Sequence, residues 1–204
     1  MLFVNISSDY VHLFDGLDED FLPRNGIENI LGATLLQYSQ RHPVETLLLL
    51  NGPGGFTNLR VGTLAINTLN TLLEHDTGTF IPVASITKID LYTYAYKQWR
   101  LPRYGILYIG QKHNVRRYDF QEQTHEQLTL EEIYSEKNTS ENTFLDWVHD
   151  PYWDNDEQMV SFFMHNNSLH IRYRGDSHII ELSDLRIPLT MTVEPQYLIT
   201  PTLN

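Results

Sequence analysis

Hydrophobic residues in the first fifty positions recur with two different spacings. Apolar runs at residues 2–6 and 10–14 flank a polar turn, which predicts a β-hairpin. The acidic segment 15–26, interrupted by glycine and proline, predicts a loop. Across residues 27–40 the apolar positions follow helical spacing, and residues 44–50 form a nearly continuous apolar run. The helical spacing at 27–40 predicts an amphipathic helix, and the apolar run at 44–50 predicts a strand covered on both faces.

The alternation of strand and helix continues through the next fifty residues. A glycine-rich turn at residues 51–55 leads into a second predicted helix at residues 58–74, for which Thr57 is the expected N-cap. A short strand at residues 80–83 and a third helix at residues 85–96 complete the series. This order predicts an α/β sheet that contains parallel strands.

Strands outnumber helices after Pro102. Thr129 followed by Glu132 predicts a capping box at the start of a short helix. The polar, acidic segment 136–157 predicts a long loop. The remaining predicted strands are a hairpin at 105–110 and 115–120, around a turn at 111–114, and a meander at 159–164, 169–173 and 178–182.

Composition restricts the classes of function. The chain has 204 residues, of which 14 are Lys or Arg and 26 are Asp or Glu, so its net charge is −12 with His neutral. Gripping a phosphate backbone takes clustered basic residues, so the chain alone is not expected to bind nucleic acid. The absence of cysteine excludes disulfides, thiolate nucleophiles and Cys-ligated metal centres. With no basic leader and no apolar run of about 20 residues, we expect a cytoplasmic protein with no membrane partner.

The glycine-rich turn is the first candidate for chemistry. A turn between a buried strand and a helix N-terminus can cradle an anion, because backbone N–H groups and the helix dipole point into it. Neither the Walker A pattern nor the dinucleotide pattern is present, however. Gly52, Gly54 and Gly55 are therefore weak candidates for cofactor binding, and the alternative is a turn that packs a helix closely against a sheet. We expect no cofactor.

A longer string carries a family resemblance. Asn51-Gly52-Pro53-Gly54-Gly55-Phe56-Thr57-Asn58-Leu59-Arg60-Val61-Gly62 closely resembles the Gly-Pro-Gly-Ser-Phe-Thr-Gly-Leu-Arg-Ile-Gly signature of the TsaB (YeaZ) family. The order of predicted elements in roughly the first hundred residues also matches the N-terminal lobe of that family. Near the end of the chain, the string from Val193 to Leu198 resembles the family's Pro-x-Tyr-Leu segment.

The resemblance implies a fold and a role. TsaB-like proteins have the two-lobed actin-like ATPase (ASKHA) fold with little catalytic apparatus, and they assist in making threonylcarbamoyladenosine on tRNA. We therefore expect a standard N-terminal lobe at residues 1–101, a shortened or remodelled C-terminal lobe at 102–190, and a segment at 191–204 that returns to the N-terminal lobe. The expected role is a non-catalytic scaffold that activates a TsaD-type transferase for modification of tRNA adenosine-37.

The family pairs through the two helices that flank the signature. The expected partners are the TsaD-type subunit and a TsaE-type ATPase, with tRNA contacted only indirectly and with a homodimer formed on the same surface when the partner is absent. Carried over to this sequence, the interface residues are Ile30, Leu31, Leu35, Phe56, Thr57, Arg60, Val61, Leu64, Ala65, Thr68 and Leu69. Arg60 near the helix start is unfavourable for the dipole, which indicates either an ion pair within the lobe or a contact across the interface.

Several positions depart from the family pattern. Asn5 stands where the family usually has Asp, Gly55 replaces Ser, and Asn58 replaces Gly. Gly110-Gln111-Lys112 replaces an Asp-Ala-Arg triplet in the second lobe. Two other functions stay open: a nucleotide-binding enzyme of the actin-like fold acting alone, because the turn retains its glycines, and a diverged interaction module that serves another partner, because the second lobe is altered.

Other groupings indicate weaker chemistry. His165 and His170 flank a turn, and His113 and His125 are near in sequence, but none has the spacing of a metal site, so no metal is expected. The acidic cluster lacks the spacing of a calcium loop and predicts a solvated loop. Its members are Asp146, Asp150, Asp154, Asp156 and Glu157.

Overall fold

The chain folds into two compact units. The computed structural model describes residues 1–8, 10–41, 43–99, 101–108, 115–129, 131–133, 135, 142–146, 158–166 and 168–198. One unit comprises Met1–Lys88 with Leu182–Asn204, and the other comprises Ile89–Glu181. The sequence predicted these divisions after residues 101 and 190.

The elements are numbered in chain order. The helices are α1 (Ile27–Arg41), α2 (Phe56–Thr77) and α3 (Lys88–Trp99). The strands are β1 (Leu2–Asn5), β2 (Tyr10–Phe14), β3 (Glu19–Pro23), β4 (Leu47–Leu50), β5 (Val83–Ile86), β6 (Tyr104–Tyr108), β7 (Val115–Asp119), β8 (Thr124–Leu128), β9 (Thr143–Asp146), β10 (Met159–His165), β11 (Ser168–Tyr173), β12 (Asp176–Ile180) and β13 (Leu189–Thr190).

The first unit is built on a six-stranded sheet in the order β13-β5-β4-β1-β2-β3. Strands β1, β4 and β5 run parallel, while β2, β3 and β13 are antiparallel to their neighbours. All four leucines of β4 are buried, which confirms the strand covered on both faces. Helices α1 and α2 pack on one face of this sheet, and their buried side chains join those of β1, β2 and β4 in one core.

Several boundaries in the first unit differ from the sequence prediction. The strand predicted at 44–50 begins at Leu47, and the strand predicted at 80–83 is found at Val83–Ile86. Residues 19–23, predicted as loop, form the edge strand β3, because an edge tolerates proline and acidic residues where a central strand does not. Helix α2 begins at Phe56 with Gly55 as N-cap, so Thr57 lies inside the helix. Ser85, the first residue of the predicted third helix, lies in β5, and α3 begins at Lys88.

The second unit contains a seven-stranded sheet in the order β12-β11-β10-β9-β6-β7-β8. Strand β9 runs parallel to β6 and β10, and the other pairs are antiparallel. Tyr92 of α3 is buried among Phe120, Phe144 and Phe162, with ring centroids 4.9–6.1 Å away. Helix α3 therefore belongs with this unit, which explains why the division falls near residue 88 rather than 101.

Two polar predictions in the second unit have different outcomes. The capping box is confirmed, since the Thr129 amide donates to Glu132 Oε2 at 2.7 Å and the Glu132 amide donates to Thr129 Oγ1 at 3.3 Å. The loop prediction for 136–157 is wrong at 143–146, which form β9. The turn at 111–114 and residues 147–157 lie outside the described residues.

Candidate functional site

An apolar groove runs between α1 and α2. Helix α1 turns Ile27, Leu31 and Leu35 toward the sheet, which leaves the small residues Gly32 and Ala33 on its flank. The groove encloses about 390 Å³. Its lining residues are Glu28, Gly32, Ala33, Leu36, Val61, Leu64, Ala65, Thr68, Leu69 and Leu72.

Large apolar side chains stand exposed in and beside this groove. Leu64 is 67% exposed, Leu72 is 49% exposed, and Ile30 on α1 is 37% exposed. Glu28 is the one ionisable residue among the ten that line the groove. Contiguous exposed apolar surface of this kind is typical of an interaction site.

The structure separates the predicted interface residues into three groups. Those that line the groove are Val61, Leu64, Ala65, Thr68 and Leu69, and Ile30 lies exposed on α1. Leu31 and Leu35 have no exposed surface, so their assignment to the interface is corrected: both face the sheet and belong to the core. On α1, the groove is lined instead by Glu28, Gly32, Ala33 and Leu36. Glu28, Gly32 and Leu36 each follow a buried residue of the apolar stripe by one position, and Gly and Ala give no hydrophobic signal.

The remaining three predicted residues lie in the first two turns of α2, outside the groove lining. The Phe56 ring meets the Tyr197 ring edge to face, with centroids 5.2 Å apart. Arg60 is exposed, and its Nε donates to the Tyr197 hydroxyl at 3.3 Å. Thr57 is exposed. Arg60 and Phe56 thus contact the C-terminal segment of the same unit, which sequence reasoning did not predict.

The glycine-rich turn is filled by neighbouring backbone. All five residues 51–55 are buried, and the Gly52–Pro53 peptide is cis. A Cβ on Gly52 would overlap the backbone carbonyl of Gln196, and one on Gly54 would lie 2.7 Å from the carbonyl carbon of Ser7. Since only a residue without a side chain permits both approaches, close packing accounts for these two glycines.

The turn after β1 is closed by the side chain of Asn5, which stands at the family's usual Asp position. Asn5 Oδ1 accepts hydrogen bonds from the Ser7 amide at 2.9 Å and from Ser7 Oγ at 2.8 Å. Asn5 Nδ2 donates to Ser8 Oγ at 3.2 Å. The amide therefore uses both ends of its side chain to hold the turn, and it carries no charge with which to bind a cation.

The other predicted groupings do not assemble into a site. The rings of His165 and His170 lie 5.9 Å apart, and within the described ranges no three His, Asp or Glu side chains are arranged to hold a metal ion. Asp146 is buried and accepts a hydrogen bond from the Tyr92 hydroxyl, which corrects its assignment to a solvated loop. The other four acidic residues of that cluster, and His113, lie outside the described residues.

Helix length and hydropathy bear on one further class of function. Among the helices that the structure describes, none is both long and apolar enough to cross a membrane.

Comparison with known proteins yields structural neighbours only. No family model and no curated protein sequence matches the chain. It is similar to YeaZ from Pseudomonas aeruginosa, at 17% identity and a TM-score of 0.36, over 62% of this chain and 63% of that one. It is also similar to a crystal structure of an uncharacterized protein with similarity to peptidase YEAZ from Pseudomonas aeruginosa, at 16% identity and a TM-score of 0.40, over 71% and 74%. The chain thus spans less than two thirds of the length of the YeaZ to which it is similar.

Proposed function

We propose that the chain is a non-catalytic, TsaB-like scaffold subunit that pairs with a TsaD-type threonylcarbamoyltransferase and activates it for modification of tRNA adenosine-37. The observation that carries this proposal is the apolar groove between α1 and α2, on the helix that begins with the signature. The signature resemblance supplies the identity of the partner, and the groove supplies the surface.

The groove has the shape and chemistry that a helix of another protein requires. Gly32, Ala33 and Ala65 project little from their helices, so the backbone of a docked helix can approach closely. Leu64, two thirds exposed, is placed to insert between the side chains of the partner. Burial of Leu64 and Leu72 in an interface would remove from water the largest apolar surface that α2 leaves exposed.

The net charge of the chain bears on whether it binds tRNA directly. The chain carries −12, so a phosphate backbone is repelled rather than attracted by it as a whole. In the proposed assembly, the TsaD-type subunit and a TsaE-type ATPase hold the tRNA and nucleotide. This chain contacts tRNA only indirectly, and the same groove holds a second copy of the chain when the partner is absent.

Copurification with the TsaD-type protein of the same organism tests the proposal. Leu64→Arg places a charge in the groove and Ala65→Trp fills it, so each is expected to weaken association by at least about thirtyfold, the loss typical of a central interface residue. Leu17→Arg is the matched control, because Leu17 is 77% exposed in the turn between β2 and β3, away from the groove.

The outcomes separate the pairing from its location. Failure of the wild-type chain to associate would contradict the pairing. Association that survives both groove substitutions would place the interface elsewhere. Light scattering on the isolated chain, with the same three variants, measures whether the groove also holds a second copy.

A further inference from the structure

Residues 189–197 form a segment, here called the C-terminal strap, that is bound to the rest of the first unit mainly by the side-chain amides of asparagines. After the two-residue pairing of β13 with β5, the strap leaves the sheet and crosses α2. Asn67 of α2 bonds both backbone groups of Val193, since its Nδ2 donates to the Val193 carbonyl at 2.9 Å and its Oδ1 accepts from the Val193 amide at 2.9 Å. A side-chain amide that pairs with both N–H and C=O of one residue reproduces the pairing of a neighbouring β-strand.

Two further asparagines extend this pattern on either side. Asn70 pairs with both backbone groups of Ile81, outside the strap, and its Nδ2 also donates to the Met191 carbonyl at 2.9 Å. Asn51 Nδ2 donates to the Glu194 carbonyl at 2.7 Å, and Asn51 Oδ1 accepts from the Gln196 amide at 3.3 Å. Asn51, Asn67 and Asn70 form an asparagine row that recognises backbone, and backbone contacts do not depend on the sequence of the bound segment.

Two side chains of the strap add selectivity. Val193 is 7% exposed and joins the core beside α2. Tyr197, four residues later, packs against Phe56 and accepts from Arg60. Leu189 and Met191 remain exposed. The seated segment is thus an extended chain with a β-branched residue followed at four positions by an aromatic residue.

The strap is held more weakly than the strands of the sheet that it leaves. Val193 is its one buried apolar residue among positions 189–197, all of which the structure describes. Its release would break the amide contacts and the short β13 pairing but would leave β1, β4 and both helices paired and packed. Segments with few buried apolar contacts open locally, at a free energy below that of global unfolding.

We propose that the strap is an exchangeable occupant of the asparagine row, which accepts an extended peptide of the same character from another chain when the strap opens. Opening also uncovers the Gly52 turn, because the backbone of Gln196 lies directly on that residue. A competing peptide must overcome the high effective concentration of the strap, of the millimolar order for a short tether, so binding in trans depends on the strap being open.

Local opening is tested first with single cysteines, since the chain has none of its own. In Val193→Cys, the thiol reagent DTNB reports opening of the strap; in Val4→Cys, on fully buried β1, it reports global unfolding. We expect the cysteine at position 193 to be labelled at least about a hundredfold faster than the cysteine at position 4. Its labelling rate should also be nearly independent of urea concentration, because local opening exposes little surface. Adding Asn67→Ala, which removes two hydrogen bonds, should speed labelling at 193 about tenfold. Asn29→Ala is the control for that substitution, since Asn29 lies at an exposed position of α1, and it should leave the labelling rate at position 193 unchanged.

Peptide binding is tested second, on the full chain. A bulky adduct on the cysteine of Val193→Cys keeps the strap from closing, and circular dichroism checks that the fold persists. A fluorescent peptide with the sequence of residues 187–198 should then bind at least about tenfold tighter to the labelled chain than to the unlabelled one, and Asn67→Ala should weaken that binding about tenfold. A scrambled peptide can still make the backbone contacts but lacks the spacing of the valine and the tyrosine, so it should bind more weakly than the native peptide.

Two results would overturn the proposal. If positions 193 and 4 are labelled at the same rate with the same urea dependence, the strap does not open on its own. If the labelled chain binds the native and the scrambled peptide alike, and Asn67→Ala weakens neither, the asparagine row does not recognise an extended segment. Neither result bears on the α1–α2 groove, so both are independent of the partner proposed above.

Discussion

Gly62 tests how closely α2 packs on the first sheet. A Cβ built on this residue would lie 2.5 Å from Ile6 Cγ2, 2.9 Å from Cδ1 and 3.0 Å from Cβ. Ile6 has no exposed surface, so its side chain has no space into which it can turn. Overpacking of this kind costs about 1–3 kcal/mol, against which alanine gains about 1 kcal/mol in helix propensity over glycine. Gly62→Ala is therefore expected to destabilise the chain by up to about 2 kcal/mol.

Gly32 on α1 supplies the matched control. It is also a helical glycine, but a Cβ there meets nothing within 4 Å. Gly32→Ala gains the same helix propensity without the steric cost, and it is expected to stabilise the chain by about 0.5–1 kcal/mol. The same chemical change should thus have opposite signs at the two positions.

Urea unfolding followed by circular dichroism measures both effects. The steric explanation also predicts coupling: in the Ile6→Ala background the two nearest atoms are gone, and Gly62→Ala should no longer destabilise. The reasoning would be refuted if Gly62→Ala stabilised as much as Gly32→Ala, or if its cost were the same with and without the Ile6 side chain.

Three further predictions concern polar contacts of the second unit. Tyr92→Phe should cost about 1–3 kcal/mol in urea unfolding, with Tyr96→Phe as control, because it leaves the buried Asp146 carboxylate without its hydroxyl donor. Burial, and secondly the neighbouring Asp146, raises the pKa of Tyr92. Above about pH 10 the tyrosine therefore ionises only in the unfolded chain, and the wild type should lose stability as the pH rises. Tyr92→Phe should lose less stability over the same range. Hydrogen bonds from Arg103 lower the pKa of Asp119 to about 2. The difference in stability between wild type and Asp119→Asn should therefore be full above about pH 4 and shrink as the pH falls to 2. A difference that does not change with pH would contradict the pairing. Thr129→Ala removes a confirmed cap and should cost about 1 kcal/mol, which thermal unfolding measures.

The sequence predicted the elements whose apolar residues are close together along the chain. Strand β4 and helix α1 carry their own signal, a continuous apolar run and an apolar stripe. Strands β3, β8, β9 and β13 were missed. Strands β3 and β9 each contain a carboxylate whose partner is distant in sequence. Asp20 of β3 accepts from the Tyr38 hydroxyl, 18 residues away, and Asp146 of β9 accepts from Tyr92, 54 residues away. A local pattern cannot contain such partners, so both segments had the composition of loops.

The candidate groove was predicted on one side only, for a related reason. Leu64 and its neighbours on α2 were identified through the signature. On α1 the groove depends on the absence of large side chains, since Gly32 and Ala33 leave space between the helices. An apolar stripe indicates where a helix is buried, and for that reason it selected Leu31 and Leu35, which face the core. The open flank of a helix becomes visible only when the neighbouring helix is in place.

The signature itself is better explained by packing than by catalysis. Gly52 lies against Gln196 of the strap, Gly54 against Ser7 after β1, and Gly62 against Ile6. Each glycine thus permits one close approach, and together they join the strap, the first strand and α2 at the end of β4. A bound nucleotide would need the space that these backbones occupy, so it could reach the turn only if the strap left. The resemblance of residues 51–62 therefore bears most directly on how this unit is assembled. A function in a partner complex has to be sought on the α1–α2 groove, which the assembly leaves open, and on the asparagine row, which opening of the strap would uncover.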